Sequence, residues 1–451
     1  MMKKAVITIL GTISVPREGQ NKAQYYFSDE LKEQFKLKQD RYINMLPLLL
    51  DNFKDYGDMK SIYTNLSKEK QMSVLEYEKI EYDIEKNGLF ISENIEDKEA
   101  NYSYFLDKYN ELIEKYDRVI IDVSHGFRHF PILAVVNLII QNIKNPEKIE
   151  YIFFAKEIKQ FQKYEVIDLK EYLELANLSF MLSTFNQNYT VSSNVKFKNP
   201  LHKKIAKELT EFSNHFLSNS LKPLIEGDLI EDIIDNLEEL QEDKSVENFK
   251  HYIQEIIEHL EDIRQLKHQL EWQKFYEISK VMDKRGYQLN AITLLFEAIG
   301  FYCLESLSHI ELVGKRVDEY YQFINQKRKP EHIYSTYTMT NQIRTVVKIK
   351  NRFHVSDERL FISNDKLKNV IIEYLEDVDK INKFTSFLQD LEALRNNLAH
   401  GNSSISIENV KKSYQSYLSK FKDLCIDKDI FSTAKEFDNV TPLERLNNKW
   451  Q

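Results

Sequence analysis

An α/β Rossmann-like domain followed by all-α regions, helix-rich overall, is the fold class that the sequence predicts, and three observations predict it. Glycine and proline are scarce, 10 and 8 in 451 residues, which disfavours turn-rich β architectures and favours helix over more than half the chain. Up to about residue 170, short β-rich runs alternate with helical patterns, the signature of βαβ units and a mostly parallel sheet. From about Leu169 onward, nearly every segment carries apolar residues at helical spacing.

Taken in order, strands are predicted at Ala5–Leu10, around Met59–Thr64, at Arg118–Val123, at Glu150–Ala155 and at Tyr164–Ile167. Ile253, Ile256, Ile257, Leu260, Ile263, Leu266 and Leu270 then mark one face of a long helix. The acidic stretch Glu238–Glu247 is the softest point of the chain, and a boundary is expected a little after it. The expected domains are 1–170, a helical connecting region 171–269, and a helical domain 270–451.

With 42% hydrophobic residues, 27 Phe and 26 Tyr, the chain has ample apolar surface for packed cores, and general disorder is excluded. Cys303 and Cys425 are too few for a disulfide framework or a cysteine zinc site and read as core thiols in a reducing compartment. The apolar run Ala5–Leu10 is too short for a signal peptide, and Ile132–Ile140 is about half of a bilayer crossing. A cytoplasmic chain with no membrane partner is expected. The net charge of −9 argues against general nucleic-acid coating and against DNA as a partner. A local basic strip nevertheless runs from Lys327 through Arg344, Lys348 and Lys350 to Arg352, with Tyr334 and Tyr337 interleaved. Alternating cations and aromatics suit a single-stranded RNA, so Arg344, Lys348 and Lys350 are expected to guide one; a solvated loop is the plain alternative.

Two constellations carry chemistry. The predicted strand Arg118–Val123 leads into Ser124-His125-Gly126-Phe127-Arg128-His129-Phe130, and Pro131 opens an apolar helix over Ile132–Ile143. Loops between the carboxyl end of a parallel strand and a helix N-terminus are anion sites in open α/β sheets. Gly126 permits close backbone approach, Arg128 can grip a phosphate through two parallel bonds, and Gly11-Thr12 should lie at the same sheet edge. Alternatively Ser124 and Arg128 only cap the helix and pair locally. A Walker loop, a GxGxxG fingerprint and a GxSxG elbow are all absent, which disfavours nucleoside triphosphate binding, NAD binding and serine hydrolysis.

The second constellation is Arg395-Asn396-Asn397-Leu398-Ala399-His400-Gly401 at the end of an amphipathic helix. A histidine, with its ordinary pKa near ~6.5, and an arginine are what RNA cleavage needs without metal: proton transfer at the 2′-OH and the 5′-oxygen, and a cation beside the pentacoordinate phosphate. Positions five apart on a helix differ by roughly 140°, so Arg395 and His400 do not share one stripe. Helix C-capping is the competing explanation. The remaining histidines, among them His202, His251 and His259, show no metal-ligand spacing, and His251 and His259 read as solvated surface.

Together, Asp122-Val-Ser-His-Gly-Phe-Arg-His-Phe-Pro131 and Arg395-Asn-Asn-Leu-Ala-His400 resemble the signatures of CRISPR-associated CARF–HEPN ribonucleases of type III systems. Tyr287–Glu305, with Glu297 in an apolar helix, resembles the first HEPN helix. The resemblance implies a CARF domain over about 1–170 and a HEPN domain over about 270–430. It further implies a homodimer that binds cyclic oligoadenylate and cleaves single-stranded RNA without a metal or cofactor, leaving 2′,3′-cyclic phosphate ends. Arg395 and His400 would be catalytic, with Asn396 positioning. Gly11, Thr12, Ser124, His125, Gly126, Phe127 and Arg128 would hold the activator, under a lid from Gln20 to Tyr26. A tetra-adenylate is expected over a hexa-adenylate on resemblance alone, and His125 is a candidate for positioning a ribose 2′-OH. The rival functions are a cyclic-nucleotide-sensing regulator whose helical domain only dimerises or binds a partner, and a toxin-like tRNA nuclease without a second messenger.

Overall fold

The computed structural model describes residues 2–16, 21–92, 102–126, 129–145, 147–191, 197–311, 313–315, 317–319, 322, 335–349, 365–376 and 378–431. It is 64% helical, with one mixed sheet near the N-terminus. Two compact units divide it. One comprises Met1–Asn186, Val191–Thr210 and Asn236–Ile253, the other Gln187–Thr190, Glu211–Asp235 and Gln254–Gln451. Residues 171–269 therefore contribute to both.

The first unit is built on β1 (Lys4–Ile9), β2 (Ala23–Phe27), β3 (Arg41–Tyr42), β4 (Asp58–Tyr63), β5 (Gly88–Phe90), β6 (Arg118–Asp122), β7 (Ile149–Lys159) and β8 (Lys163–Asp168). Their order in the sheet is β3-β2-β8-β7-β6-β1-β4-β5. All five predicted strands are present, and β1 runs parallel to both β4 and β6. The sheet is less purely parallel than expected, because β7 pairs antiparallel with β8 through a tight turn and β2 pairs antiparallel with β3. Strands β3 and β5, two and three residues long, are too short to show a period in sequence.

Alternation along β1 splits its side chains between two cores. Ala5, Ile7 and Ile9 pack with Ile121 on the face covered by α4 (Tyr102–Glu114) and α5 (His129–Lys144). Val6 and Ile120 pack with Phe153 on the other face, against α2 (Met45–Asn52), where Phe27, Phe35 and Phe53 cluster around Phe153. Asn44 caps α2 by accepting from the Leu46 N–H, and Thr64 and Ser67 form a capping box at α3 (Asn65–Glu78). The expected lid is corrected here. Residues 23–27 are strand β2, with Tyr25 and Phe27 buried in the sheet, and Gln20 lies outside the described residues. The alternation Ala23, Tyr25, Phe27 was the available strand signal.

Helix α5 is apolar on more than its core face. Phe130, Ala134 and Leu138 are buried, while Ile132, Val136 and Ile140, spaced four apart, are 64%, 50% and 62% exposed. The polar Asn137 and Gln141 are buried instead, Gln141 donating to Asn110.

Beyond the short α1 (Asp29–Lys32) and the helices already named, α6 (Lys170–Asn188), α7 (Pro200–Leu217), α8 (Leu221–Ile225), α9 (Leu229–Gln241) and α10 (Lys250–Gln265) are divided between the two units. The rest of the second unit is helical as well: α11 (Glu271–Lys284), α12 (Gln288–Leu307), α13 (Ser335–Ile349), α14 (Asp365–Glu376), α15 (Ile381–Ala399) and α16 (Ile407–Phe421). Ile253, Ile256, Ile257, Leu260 and Ile263 of α10 are buried as their spacing predicts. Helix α12 is the hub and packs on α11, α13, α15 and α16. By length and hydropathy it could cross a membrane, yet 72% of its apolar window is buried inside the protein, as befits a core helix. Cys303 on α12 and Cys425 are buried; burial pushes the Cys303 thiol up to about 12 and raises Cys425 as well, so neither offers a thiolate.

Candidate functional site

In the first unit, the carboxyl ends of β1 and β6 are neighbours at the point where the chain order reverses, since β4 lies on one side of β1 and β6 on the other. Open α/β sheets bind ligands at such switch points. The two loops there touch. A Cβ built on Gly11 would fall 2.8 Å from the His125 Cβ and 3.1 Å from the Gly126 nitrogen, and one on Gly126 would meet Ile9 Cγ2 at 2.6 Å. Gly126 also has φ +107, a conformation that L side chains rarely adopt, so both glycines are required by the close approach.

Asp122, fully buried at the end of β6, organises this edge. Its Oδ2 accepts from the Thr8 hydroxyl at 2.6 Å, and its Oδ1 from both the Ser124 N–H at 3.0 Å and the Ser124 hydroxyl at 2.5 Å. The Ser124 oxygen in turn accepts from the Ala155 N–H at 2.7 Å on β7. Ser124 is therefore already bonded on both sides and ties β6 to β7, which is the local pairing with a carboxylate that the sequence left open, with no helix cap shown. Thr12 is exposed beside the rim. The His125 Nε2 is buried with no hydrogen-bond partner among the described residues, and burial holds the imidazole below its ordinary pKa against the opposing pull of Asp122. Phe127 and Arg128 lie outside the described residues.

Sequence reasoning missed the second layer of this rim. Gln71, on α3, donates from Nε2 to the Gly11 carbonyl at 2.8 Å and to the Ile13 carbonyl at 3.3 Å, and its own Oε1 accepts from Asn44 Nδ2 at 3.0 Å. Both amides are buried, and they fix the loop after β1. A polar residue immediately before the apolar run Met45–Leu50 was the visible sign of the Asn44 cap; nothing in the sequence marks Gln71.

In the second unit, α15 ends as expected. His400 is its C-cap, Gly401 has φ +67, the Gly401 N–H bonds to the Leu398 carbonyl at 3.2 Å, and the Asn402 N–H bonds to the Asn397 carbonyl at 2.9 Å. That is the Schellman arrangement, and it leaves the His400 side chain exposed at the helix end. Arg395 is half-buried. Its Nη1 donates to Asn396 Oδ1 at 2.9 Å, its Nε is buried with no partner among the described residues, and its guanidinium lies 5.9 Å from the centre of the Phe296 ring. No hydrogen bond among the described residues joins Arg395 to His400.

No family model matches the chain, and no curated protein matches it. Among solved structures, it is similar to "Enterococcus italicus Csm6 bound to cyclic hexa-2'-fluoro-hexa-dAMP" over 97% of this chain and 98% of that one, at 13% identity and a TM-score of 0.32.

The basic strip requires correction. Arg344 is 1% exposed and cannot meet an RNA strand: its Nη1 donates to the Phe296 carbonyl at 2.8 Å and to Glu297 Oε2 at 3.1 Å. Lys348, one turn on, pairs with Glu392 of α15 at 2.6 Å. The reason is periodicity: Arg344 and Lys348 face the same side of α13, and that side is packed on α12 and α15. Lys350, Tyr334 and the basic residues 327–329 and 352 lie outside the described residues, as does the side chain of Tyr337. His259 is likewise no solvated residue. Its Nδ1 is 3.0 Å from Arg285 Nη2, burial and Arg285 lower its pKa, and it borders a cavity of about 570 Å³ with Tyr189, Trp272 and Tyr276.

Two outcomes test the first-unit site. Asp122→Ala strips the acceptor from three donors and should cost about 3 kcal/mol or more of that unit's stability, read by hydrogen exchange across β1 and β6. Because the folded His125 stays neutral while an unfolded histidine takes up a proton, His125 lowers stability as pH falls from about 6.5 toward its lower folded pKa. His125→Asn should therefore flatten the fall of the melting temperature over that window; an unchanged slope would mean a solvated imidazole.

Proposed function

We propose that the chain is a cyclic oligoadenylate-activated endoribonuclease of the CARF–HEPN type, acting on single-stranded RNA in CRISPR type III antiviral defence. The observation that supports it best is the end of α15, where a guanidinium without a carboxylate partner among the described residues is followed at the helix cap by an exposed imidazole. A cation left unpaired against an aromatic ring is available to a phosphate. In the proposed reaction, a base takes the proton of a ribose 2′-OH, the 2′-oxygen attacks the adjacent phosphorus, and the P–O5′ bond breaks with a proton delivered to the leaving 5′-oxygen. The products are a 2′,3′-cyclic phosphate and a 5′-OH. His400 is assigned proton transfer, Arg395 stabilises the phosphorane, and Asn396 orients Arg395.

Since Arg395 and His400 diverge around the helix, the proposal takes the active form as a homodimer in which two copies of α15 complete one cleft. Support for self-association comes from the first unit. Three large aliphatic side chains stand exposed in line on α5, on a helix that already has a buried apolar face. The activator is assigned to the β1 and β6 loops, Gly11, Thr12 and Ser124–Arg128. A two-fold dimer presents these loops twice, so a ring with its own two-fold, tetra-adenylate ahead of hexa-adenylate, fits both copies alike.

Cleavage of a single-stranded RNA should appear on adding a cyclic oligoadenylate in EDTA. Arg395→Ala and His400→Ala should each lower the rate by about 10²-fold or more while leaving activator binding unchanged. Full activity in both variants would overturn the ribonuclease reading and leave a sensing regulator. In sedimentation, Ile132→Glu combined with Val136→Glu should shift a dimer to monomer; a dimer that persists would place the interface elsewhere.

A further inference from the structure

We infer that Arg344 is a positioning residue that sets the geometry of Arg395 through a cradle on α12; this rests on the ribonuclease reading above. A buried cation inside a helical core needs a reason. The Arg344 guanidinium is fully enclosed, with Nη1 on the Phe296 carbonyl and on Glu297 Oε2, Nη2 3.5 Å from Glu297 Oε1, and its carbon 3.9 Å from the centre of the Phe296 ring. Helix α12 makes room for it at one position. A Cβ on Gly300 would stand 2.7 Å from Arg344 Nη1 and 2.9 Å from the Thr340 Cβ. Carbonyl, carboxylate, ring and missing side chain lie within five residues, Phe296–Gly300, and together form a receptor for one guanidinium.

Phe296 is shared. The ring that Arg344 holds on α12 is the ring against which Arg395 lies, and Arg395 has little else: one bond to its neighbour Asn396, and a buried Nε with no partner among the described residues. Glu297 is the carboxylate next to that ring, and it is engaged by Arg344. Arg344 thus does two things for Arg395. It fixes the aromatic surface beneath it, and it occupies the carboxylate that would otherwise neutralise it. Lys348 repeats the device one turn along by holding Glu392, three residues before Arg395 on α15.

The decisive variant is Gly300→Ala. It removes no charge and no hydrogen-bonding group, but the added methyl crowds both the guanidinium and the Thr340 Cβ of α13, so some shift of α13 comes with it. Arg344→Met, which leaves Gly300 and Thr340 as they are, separates loss of the guanidinium from that shift. Steady-state cleavage should show kcat lowered by roughly tenfold or more with KM and its salt dependence unchanged, because a misplaced catalytic cation costs rate and not substrate affinity. Arg344→Lys, which restores charge without the two-pronged geometry, should recover only part of what Arg344→Met loses. A raised KM with a shallower salt dependence in Arg344→Met would instead mean contact with RNA and would overturn the inference, as would wild-type kcat in both Gly300→Ala and Arg344→Met.

A measurement independent of activity separates this inference from the ribonuclease reading. In the full-length chain labelled with ¹⁵N-arginine, the Arg395 Nε–H signal, identified by its loss in Arg395→Lys, should exchange slowly with water because that nitrogen is buried. Gly300→Ala and Arg344→Met should each speed its exchange by roughly tenfold or more. Faster exchange in a protein that cleaves no RNA would uphold the cradle while the enzyme assignment falls. Unchanged exchange in both variants would overturn the cradle whatever the activity.

Discussion

The Arg344 guanidinium, buried against Phe296 and Glu297, is the interaction on which the helical unit's geometry depends. It joins α13 to α12, and Lys348 on the same face joins α13 to α15, so one helix carries two cations that staple the helix bearing Glu297 to the helix bearing Arg395. Removing one partner of a buried pair typically costs about 3–5 kcal/mol, because the survivor is left charged and unsolvated. The requirement is directional: the guanidinium needs the Glu297 carboxylate, the Phe296 carbonyl and the space at Gly300 together.

In the α/β unit an analogous role falls to Asp122. Its two oxygens collect donors from β1, from its own strand's exit and, through Ser124, from β7, so three neighbouring strands end in register at one edge. Gln71 and Asn44 fix the opposite wall of the same rim through the Gly11 and Ile13 carbonyls. The polar groups at this edge are thereby largely committed to holding the loops. Gly11 is buried and its carbonyl is taken by Gln71, so what stays solvent-accessible at this edge is the exposed Thr12 and the partly exposed backbone at Gly126.

Both units therefore place uncommitted groups on a frame of committed ones. Arg395 rests on a ring held by a neutralised arginine, and the loops at the sheet edge rest on a carboxylate whose donors are all internal. This arrangement fits sites that must keep their shape before a ligand arrives, since ordering a side chain at binding time subtracts from affinity or rate.

The five predicted strands, the long helices and the Gly401 stop were legible in the sequence because each rests on local physics: alternation, 3.6-residue periodicity and the one residue type that accepts a left-handed cap. Burial of both cysteines followed from the apolar segments around them. The short strands β3 and β5 carry no period, and in β2 the alternation of Ala23, Tyr25 and Phe27 spans only five residues. Arg344 and Lys348 read as a basic surface because charge in a sequence has no direction. Only packing decided that their side of α13 faces α12 and α15, where Glu297 and Glu392 wait some 45 residues away in the chain. The same holds for Gln71, whose value lies in a carbonyl 60 residues distant. Local patterning determined which elements form, and long-range hydrogen bonding and charge pairing determined which polar groups are spent on the frame and which are left for chemistry.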